Sequence, residues 1–268
     1  MRPHHQHRAT KKRLGIFSVF LFVFFGAVSF SFAQPEVKIA SLKWQPLDDG
    51  IRYSLHSWNV KNLGVTPLHL FEITPGKKKF HVLRDEQNHG TGKTAEYFAR
   101  KHHMSLVVNG GFFTPEGKSI GLLVENGKIL NSLHPTSWWS IFSIRGDKAE
   151  ITRPEHFQFE NTISFALQAG PRILIQGKVP QLKDERTHRT AIGITRDGKI
   201  ILAIAEGVGL YLKELGTFLG LSEKDGGPAC LNAMSLDGGS STQVYAQFPH
   251  LKLQVRGRSN ITNAVGIQ

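Results

Sequence analysis

The sequence predicts an α+β domain in which antiparallel or mixed sheet dominates and a few helices pack against it. Three observations carry that expectation. Turn dipeptides divide most of the chain into short apolar or alternating runs. Asn126-Gly127, Gly146-Asp147 and Asp197-Gly198 each stand between two such runs, as hairpin turns do. Only two stretches, 94–103 and 210–221, carry helical spacing. A chain of 268 residues, 40% apolar and 20% charged, is one large domain or two small ones with ample core, and its composition argues against wholesale disorder.

In chain order, 51–60 (IRYSLHSWNV) and 68–73 alternate imperfectly as half-buried strands, and 79–83 follows a Pro75-Gly76 turn. The helix at 94–103 (TAEYFARKHH) sets Tyr97, Phe98 and Met104 near one face, with Thr91 or Thr94 as its cap. A strand at 105–108 then ends in Asn109-Gly110-Gly111. The three hairpins divide GLLVE from KILN, WWSIFSI from KAEIT, and AIGIT from KIILAIA, and the second helix follows the last of them. No internal repeat, low-complexity tract or Pro/Ser-rich linker interrupts the chain after Gln34.

The N-terminus has a different character. Arg2, Arg8, Lys11, Lys12 and Arg13 form a basic head without an acid, 14–32 is uncharged, and Ser31-Phe32-Ala33 is a small-x-small ending. These are the three parts of a secretory signal, with cleavage expected after Ala33. The alternative is an uncleaved anchor, because the uncharged run is just long enough to span a bilayer. A junction without Cys excludes lipoprotein attachment. The expected mature chain, 34–268, is exported to a periplasmic or extracellular space.

Charge then loses much of its apparent meaning. The whole chain carries +12, but 34–268 has 28 basic against 21 acidic residues, a net of +7. That balance suits an anionic substrate or envelope surface, and no basic block interleaved with aromatics points to nucleic acid. The single Cys, Cys230, excludes an intrachain disulfide and a thiolate metal cluster; beside Leu231 it reads as a buried, inert thiol.

Several familiar chemistries are absent. Gly90-Thr91-Gly92-Lys93-Thr94 resembles the end of a phosphate-binding loop, but Gln87 stands where that loop needs Gly. No His-Glu-x-x-His spacing or Gly-x-Ser-x-Gly elbow occurs. No metal is expected, since no ligand spacing demands one, although a divalent cation near Asp237 is compatible with the sequence. Two glycine-pair segments stand out instead: 107–113 (VVNGGFF) and 234–242 (MSLDGGSST). In each, an apolar strand ends in a small polar or acidic residue and two glycines, a composition that permits positive φ and lets backbone N–H groups approach an anion.

Taken together, VNGGFF, HRTAIGI (188–194), LDGGSST and the terminal NAVGI (263–267) resemble, in order, the phosphodiester glycosidase family. The likeness covers roughly 94–268, and LAIAEGVGLYLKELGTFLG (202–220) is closest to its shorter, exported bacterial branch. Many relatives carry a third glycine after the aspartate where this chain has only Gly238 and Gly239, which leaves the sugar open. The resemblance implies a phosphodiester-glycosidase-like domain that hydrolyses a sugar joined through its anomeric carbon to a phosphodiester. The leaving group is already a stable anion, so supporting positive charge on the sugar, activating water or supplying a nucleophile, and holding phosphate remain. It further implies Asp237 and Glu206 as the carboxylates and Arg189, in the RTA segment with Thr190, as a phosphate clamp. Gly110, Gly111, Gly238 and Gly239 would supply backbone donors and Ser240 and Ser241 hydroxyls. Asn109, Gln168 of LQAGP and Asn263 would contact substrate. A non-catalytic module that binds anionic glycans during polysaccharide export is the other reading; the two strand-end acids favour the enzyme.

Overall fold

A computed structural model describes residues 41–85 and 92–268. The expected signal segment and the Gly90-Thr91 part of the rejected phosphate loop lie outside the described residues. In chain order the strands are β1 (Gln45–Asp48), β2 (Ile51–Val60), β3 (Gly64–Ile73), β4 (Phe80–Arg84), β5 (Leu106–Asn109), β6 (Leu123–Glu125), β7 (Lys128–Asn131), β8 (Ser140–Arg145), β9 (Lys148–Thr152), β10 (Ile163–Ala169), β11 (Arg172–Leu174), β12 (Thr187–Thr195), β13 (Ile200–Leu210), β14 (Cys230–Ser235), β15 (Val244–Phe248), β16 (Leu251–Val255) and β17 (Asn263–Ile267). The α-helices are α1 (Ala95–His102), between β4 and β5, and α2 (Leu212–Gly220), between β13 and β14.

The strands form three sheets, ordered β1-β2-β3-β13-β12-β14-β11, β7-β6-β10-β8-β9 and β16-β15-β5-β17-β4. Every strand ladder among the described residues is antiparallel. The fold is therefore mainly β rather than α+β, and the expected mixed pairing does not occur. All three hairpin turns join paired strands: β6–β7, β8–β9 and β12–β13. At the first, Asn126 and Gly127 take φ of 48° and 72°, the two positive values that a tight two-residue turn requires.

One core lies among the sheets, where Phe71, Ile192, Leu202, Phe142, Phe165, Leu106 and Val265 meet. Period-2 alternation sends the intervening residues of the first sheet to its other face, where Ala191, Ala203 and Ala233 pack with Leu215, Phe218 and Leu219 of α2. Each of those three α2 side chains, fully buried, contributes about 1.5–3 kcal/mol. On the third sheet, α1 buries Phe98 against Val107, Tyr245 and Ala264. Thr94 caps α1, accepting a 3.2 Å bond from the Tyr97 amide. The second helix begins at Leu212 rather than 210 because β13 continues through Leu210.

Cys230 is fully buried, and burial pushes its thiol well above the ordinary range. A Cβ added to Gly193 would lie 2.8 Å from its Sγ. The thiol should stay unreactive to a disulfide reagent until the protein unfolds. Cys230→Ser, which places a hydroxyl among Ala233 and Phe218, should cost about 1–2 kcal/mol in urea unfolding and leave turnover intact.

Candidate active site

A cavity of about 660 Å³ opens on the α2 side of the first sheet, lined by Arg189, Ser235, Asp237, Gly238 and Gly239 among others. The register explains why Arg189 and Asp237 meet there. Ala191 pairs with Ser235 across β12 and β14, and Arg189 and Asp237 lie two residues farther along, hence on the same face. The volume is that of a pocket for a small organic ligand.

Asp237 lies just beyond β14 with its carboxyl largely desolvated. Burial raises its pKa above the ordinary aspartate value, while the Ser241 hydroxyl and the Gly238 amide pull the other way. The Gly238 amide donates to its Oδ1 at 3.0 Å. Arg189 is buried, and backbone carbonyls hold its fork: Nε donates to Leu210 O at 3.1 Å and Nη2 to Glu185 O. Desolvation lowers its pKa, with the Glu185 charge opposing. A Cβ on Gly238 would stand 3.8 Å from Arg189 Nη1, so the guanidinium passes directly beside the Asp237 loop.

Loop 181–187 closes the cavity with Lys183, Glu185 and Thr187. Arg186 anchors that loop: it donates to Glu214 Oε1 at 2.8 Å and to Gly209 O at 3.0 Å, and covers the Tyr211 ring at 4.2 Å.

Glu206 is not brought to this cavity. Ile200, Leu202 and Ile204 of β13 face the core among the sheets, and Glu206 continues that face, away from Asp237. There its Oε1 lies 3.0 Å from His69 Nε2, and His69 Nδ1 lies 2.8 Å from the Tyr53 hydroxyl. Burial, with the Glu206 charge adding, pushes Tyr53 up to about 12. The expected pairing of Asp237 with Glu206 is therefore not made. Nor does Glu206 end its strand as expected, because β13 continues through Leu210.

The other expected contacts divide in the same way. Gly238 and Gly239 line the cavity, and only Gly239 among the four glycines takes a positive φ, 59°. The first glycine pair serves close packing instead of an anion nest. The Gly110 and Gly111 amides donate to Asn263 O at 3.0 Å and Asn263 Oδ1 at 2.7 Å, and a Cβ on Gly110 would fall 2.0 Å from Asn263 Oδ1. Asn263 is thus spent on the loop rather than on substrate. Ser241 is buried beneath Asp237, whereas Ser240 is exposed and accepts from the Ser259 hydroxyl at 3.1 Å. Gln168 is wholly buried; its Oε1 accepts from the Leu122 and His134 amides, both at 2.9 Å, and its Nε2 donates to His134 O at 2.8 Å.

Asn109 and Thr190 are also wholly buried. Thr190 Oγ1 donates to Asn109 Oδ1 at 2.6 Å, which also accepts from the Gln243 amide at 3.2 Å. Asn109 Nδ2 donates to the Asp237 carbonyl at 2.7 Å, so Asn109 positions the Asp237 backbone. Asn109→Ala would strand three buried polar groups and should destabilise the protein by roughly 3–5 kcal/mol, read as a lower urea midpoint.

Lys183, Glu185 and Thr187 of the cavity wall were not among the expected contacts. Their one signal is the polar run KDERTH (183–188) immediately before the RTA arginine. Phe112 and Trp138 of that wall were not expected there either, the latter being read as part of a strand. Among the described residues, no three His, Cys, Asp or Glu side chains stand together as a metal site.

Comparison with known proteins agrees with this architecture. The catalytic domain of zebrafish N-acetylglucosamine-1-phosphodiester alpha-N-acetylglucosaminidase, auto-inhibited by its pro-peptide, superposes with a TM-score of 0.65 at 20% identity, over 85% of this chain and 88% of that one. A hypothetical protein from Synechocystis superposes with a TM-score of 0.58 at 16% identity, over 84% of this chain and 63% of that one. In sequence, the uncharacterized protein YigE of Escherichia coli (strain K12) is 27% identical over 116 residues, 38% of this chain and only 45% of that relative's length. The family model described as phosphodiester glycosidase matches residues 102–268. That match takes in Arg189, Asp237 and both glycine pairs and spans well over half of the chain, which therefore belongs to the phosphodiester glycosidase family.

Proposed function

We propose that this protein is an exported hydrolase that cleaves a sugar-1-phosphodiester, at the bond between the anomeric carbon and phosphate, in envelope or extracellular glycans or glycolipids. The observation that carries the reading is the placement of one desolvated carboxylate, Asp237, and one buried guanidinium, Arg189, on the wall of the same sugar-sized cavity. Asp237 supports positive charge at the anomeric carbon and receives the proton of the water that adds there. The bonding pair of the breaking C–O bond leaves with the phosphate monoester, which Arg189 and Lys183 neutralise. Good leaving-group chemistry makes a second carboxylate less necessary, which accords with Glu206 lying on the other face.

The protein from Gln34 onward, incubated with N-acetylglucosamine 1-(methyl phosphate) and with UDP-N-acetylglucosamine, should release reducing sugar and a phosphate monoester. Parallel reactions with a chelator test whether a cation takes part. Failure to cleave any sugar-1-phosphodiester by folded protein would leave the glycan-binding module as the better reading. Export belongs to the same proposal: the mature chain should begin at Gln34 or within a residue or two by mass spectrometry. An intact Met1 on a membrane-bound protein would make the N-terminal segment an anchor.

A further inference from the structure

The cavity has an aromatic side that the proposed chemistry does not use. Trp138 lines it with 57% of its surface exposed, whereas the adjacent Trp139 is only 6% exposed. A large indole held in water at a cavity wall is not explained by packing. It is nevertheless firmly placed: Trp139 lies between Phe112, at 4.8 Å between ring centres, and His134, at 4.9 Å, and Trp138 meets it edge-on at 5.5 Å and 81°.

Residues expected to touch substrate build this wall instead. Gln168 grips both the amide and the carbonyl of His134, and Asn263 grips Gly111, next to Phe112. Gly170 lets the tryptophan segment pass, since a Cβ there would fall 2.9 Å from the Trp139 backbone.

We propose that Trp138 is the stacking platform for the pyranose ring of the ligand, and so a specificity-determining contact. The inference rests on the sugar-phosphodiester reading of the same cavity. A ligand filling this space meets cations, Arg189 and Lys183, and an exposed indole face. A sugar 1-phosphodiester presents both complements: an anion, and a ring face of C–H groups that packs on the aromatic surface. Inorganic phosphate presents only the first.

The test measures binding by calorimetry in the Asp237→Asn background, in which turnover is expected to be at least 10²-fold slower. The probes are N-acetylglucosamine 1-(methyl phosphate) and inorganic phosphate. Trp138→Ala should weaken the sugar diester about tenfold and leave phosphate unchanged, while Trp138→Phe should hold diester affinity within about threefold. Because the indole is mostly exposed, both variants should keep the parent's melting temperature. Equal loss for the two probes, an unchanged diester affinity in Trp138→Ala, loss of diester affinity in folded Trp138→Phe, or no diester binding with Trp138 intact would each overturn the inference. Its failure is separable from that of the proposed function. Trp138-dependent binding without wild-type hydrolysis keeps the platform and sinks the enzyme; hydrolysis with KM unchanged in Trp138→Ala does the reverse.

Discussion

Asp237→Asn should yield a folded protein that turns over sugar phosphodiester at least 10²-fold more slowly than wild type. Asn keeps the size of the side chain and can still accept from the Gly238 amide, which reaches Oδ1 at 3.0 Å. What it loses is the charge that supports a cationic anomeric carbon and the base that takes a proton from water. Stability should move the other way. Desolvation raises the Asp237 pKa above its unfolded value of about 3.9, so the folded state binds this proton more tightly than the unfolded one. That contribution is fully present below the unfolded pKa and is lost as pH rises through the folded value. At neutral pH the ionised carboxylate is therefore a net burden on the fold. Asp237→Asn should melt at or above the wild-type temperature at pH 7, with the difference vanishing on acidification below about pH 4. The acidic limb of kcat/KM should lie above the ordinary aspartate range and disappear in the residual activity of the variant. A fully active Asp237→Asn enzyme would end its assignment as the reacting carboxylate, and a melting temperature well below wild type at pH 7 would mean that the charge is structural.

Arg189→Lys should raise KM by about 10–100-fold, the loss expected when a charge-assisted fork to phosphate is replaced by a point charge. Stability should fall as well, because the guanidinium also holds Leu210 O through Nε and Glu185 O through Nη2, and a lysine cannot reach both in that geometry. Two carbonyls losing charged donors should cost about 1–3 kcal/mol, a fall of several degrees in melting temperature. Burial would also favour the neutral amine and weaken the remaining attraction to phosphate. The discriminating measurement is KM under conditions where the variant remains folded. An unchanged KM would reduce Arg189 to a tie between β12, β13 and loop 181–187.

Local chemistry was legible in the sequence wherever neighbours in the chain decide the outcome. Asn126-Gly127 makes its turn because both residues accept positive φ, and Thr94 caps α1 because its hydroxyl reaches the amide three residues on. The strand 51–60 follows from its own alternation, and Cys230 is buried by its apolar context. The ordered motifs also identify the family. Tertiary structure decided which chemistry-bearing residues share a space. Asp237 follows the end of β14 while Glu206 lies inside β13, and the two strands turn them to opposite faces of one sheet, a difference set by pairing with β12 and invisible within either segment. Asn109, Gln168 and Asn263 look like ligand-binding polar residues beside glycines. Their donors and acceptors are consumed by backbone and hydroxyl groups far away in the chain, because a buried polar atom must find a partner wherever the fold brings one. Trp138, Lys183 and Glu185 carry no motif at all. They become part of one wall only because the loops after β7 and β11 converge over the ends of β12 and β14, and convergence of that kind is a property of long-range packing rather than of sequence spacing.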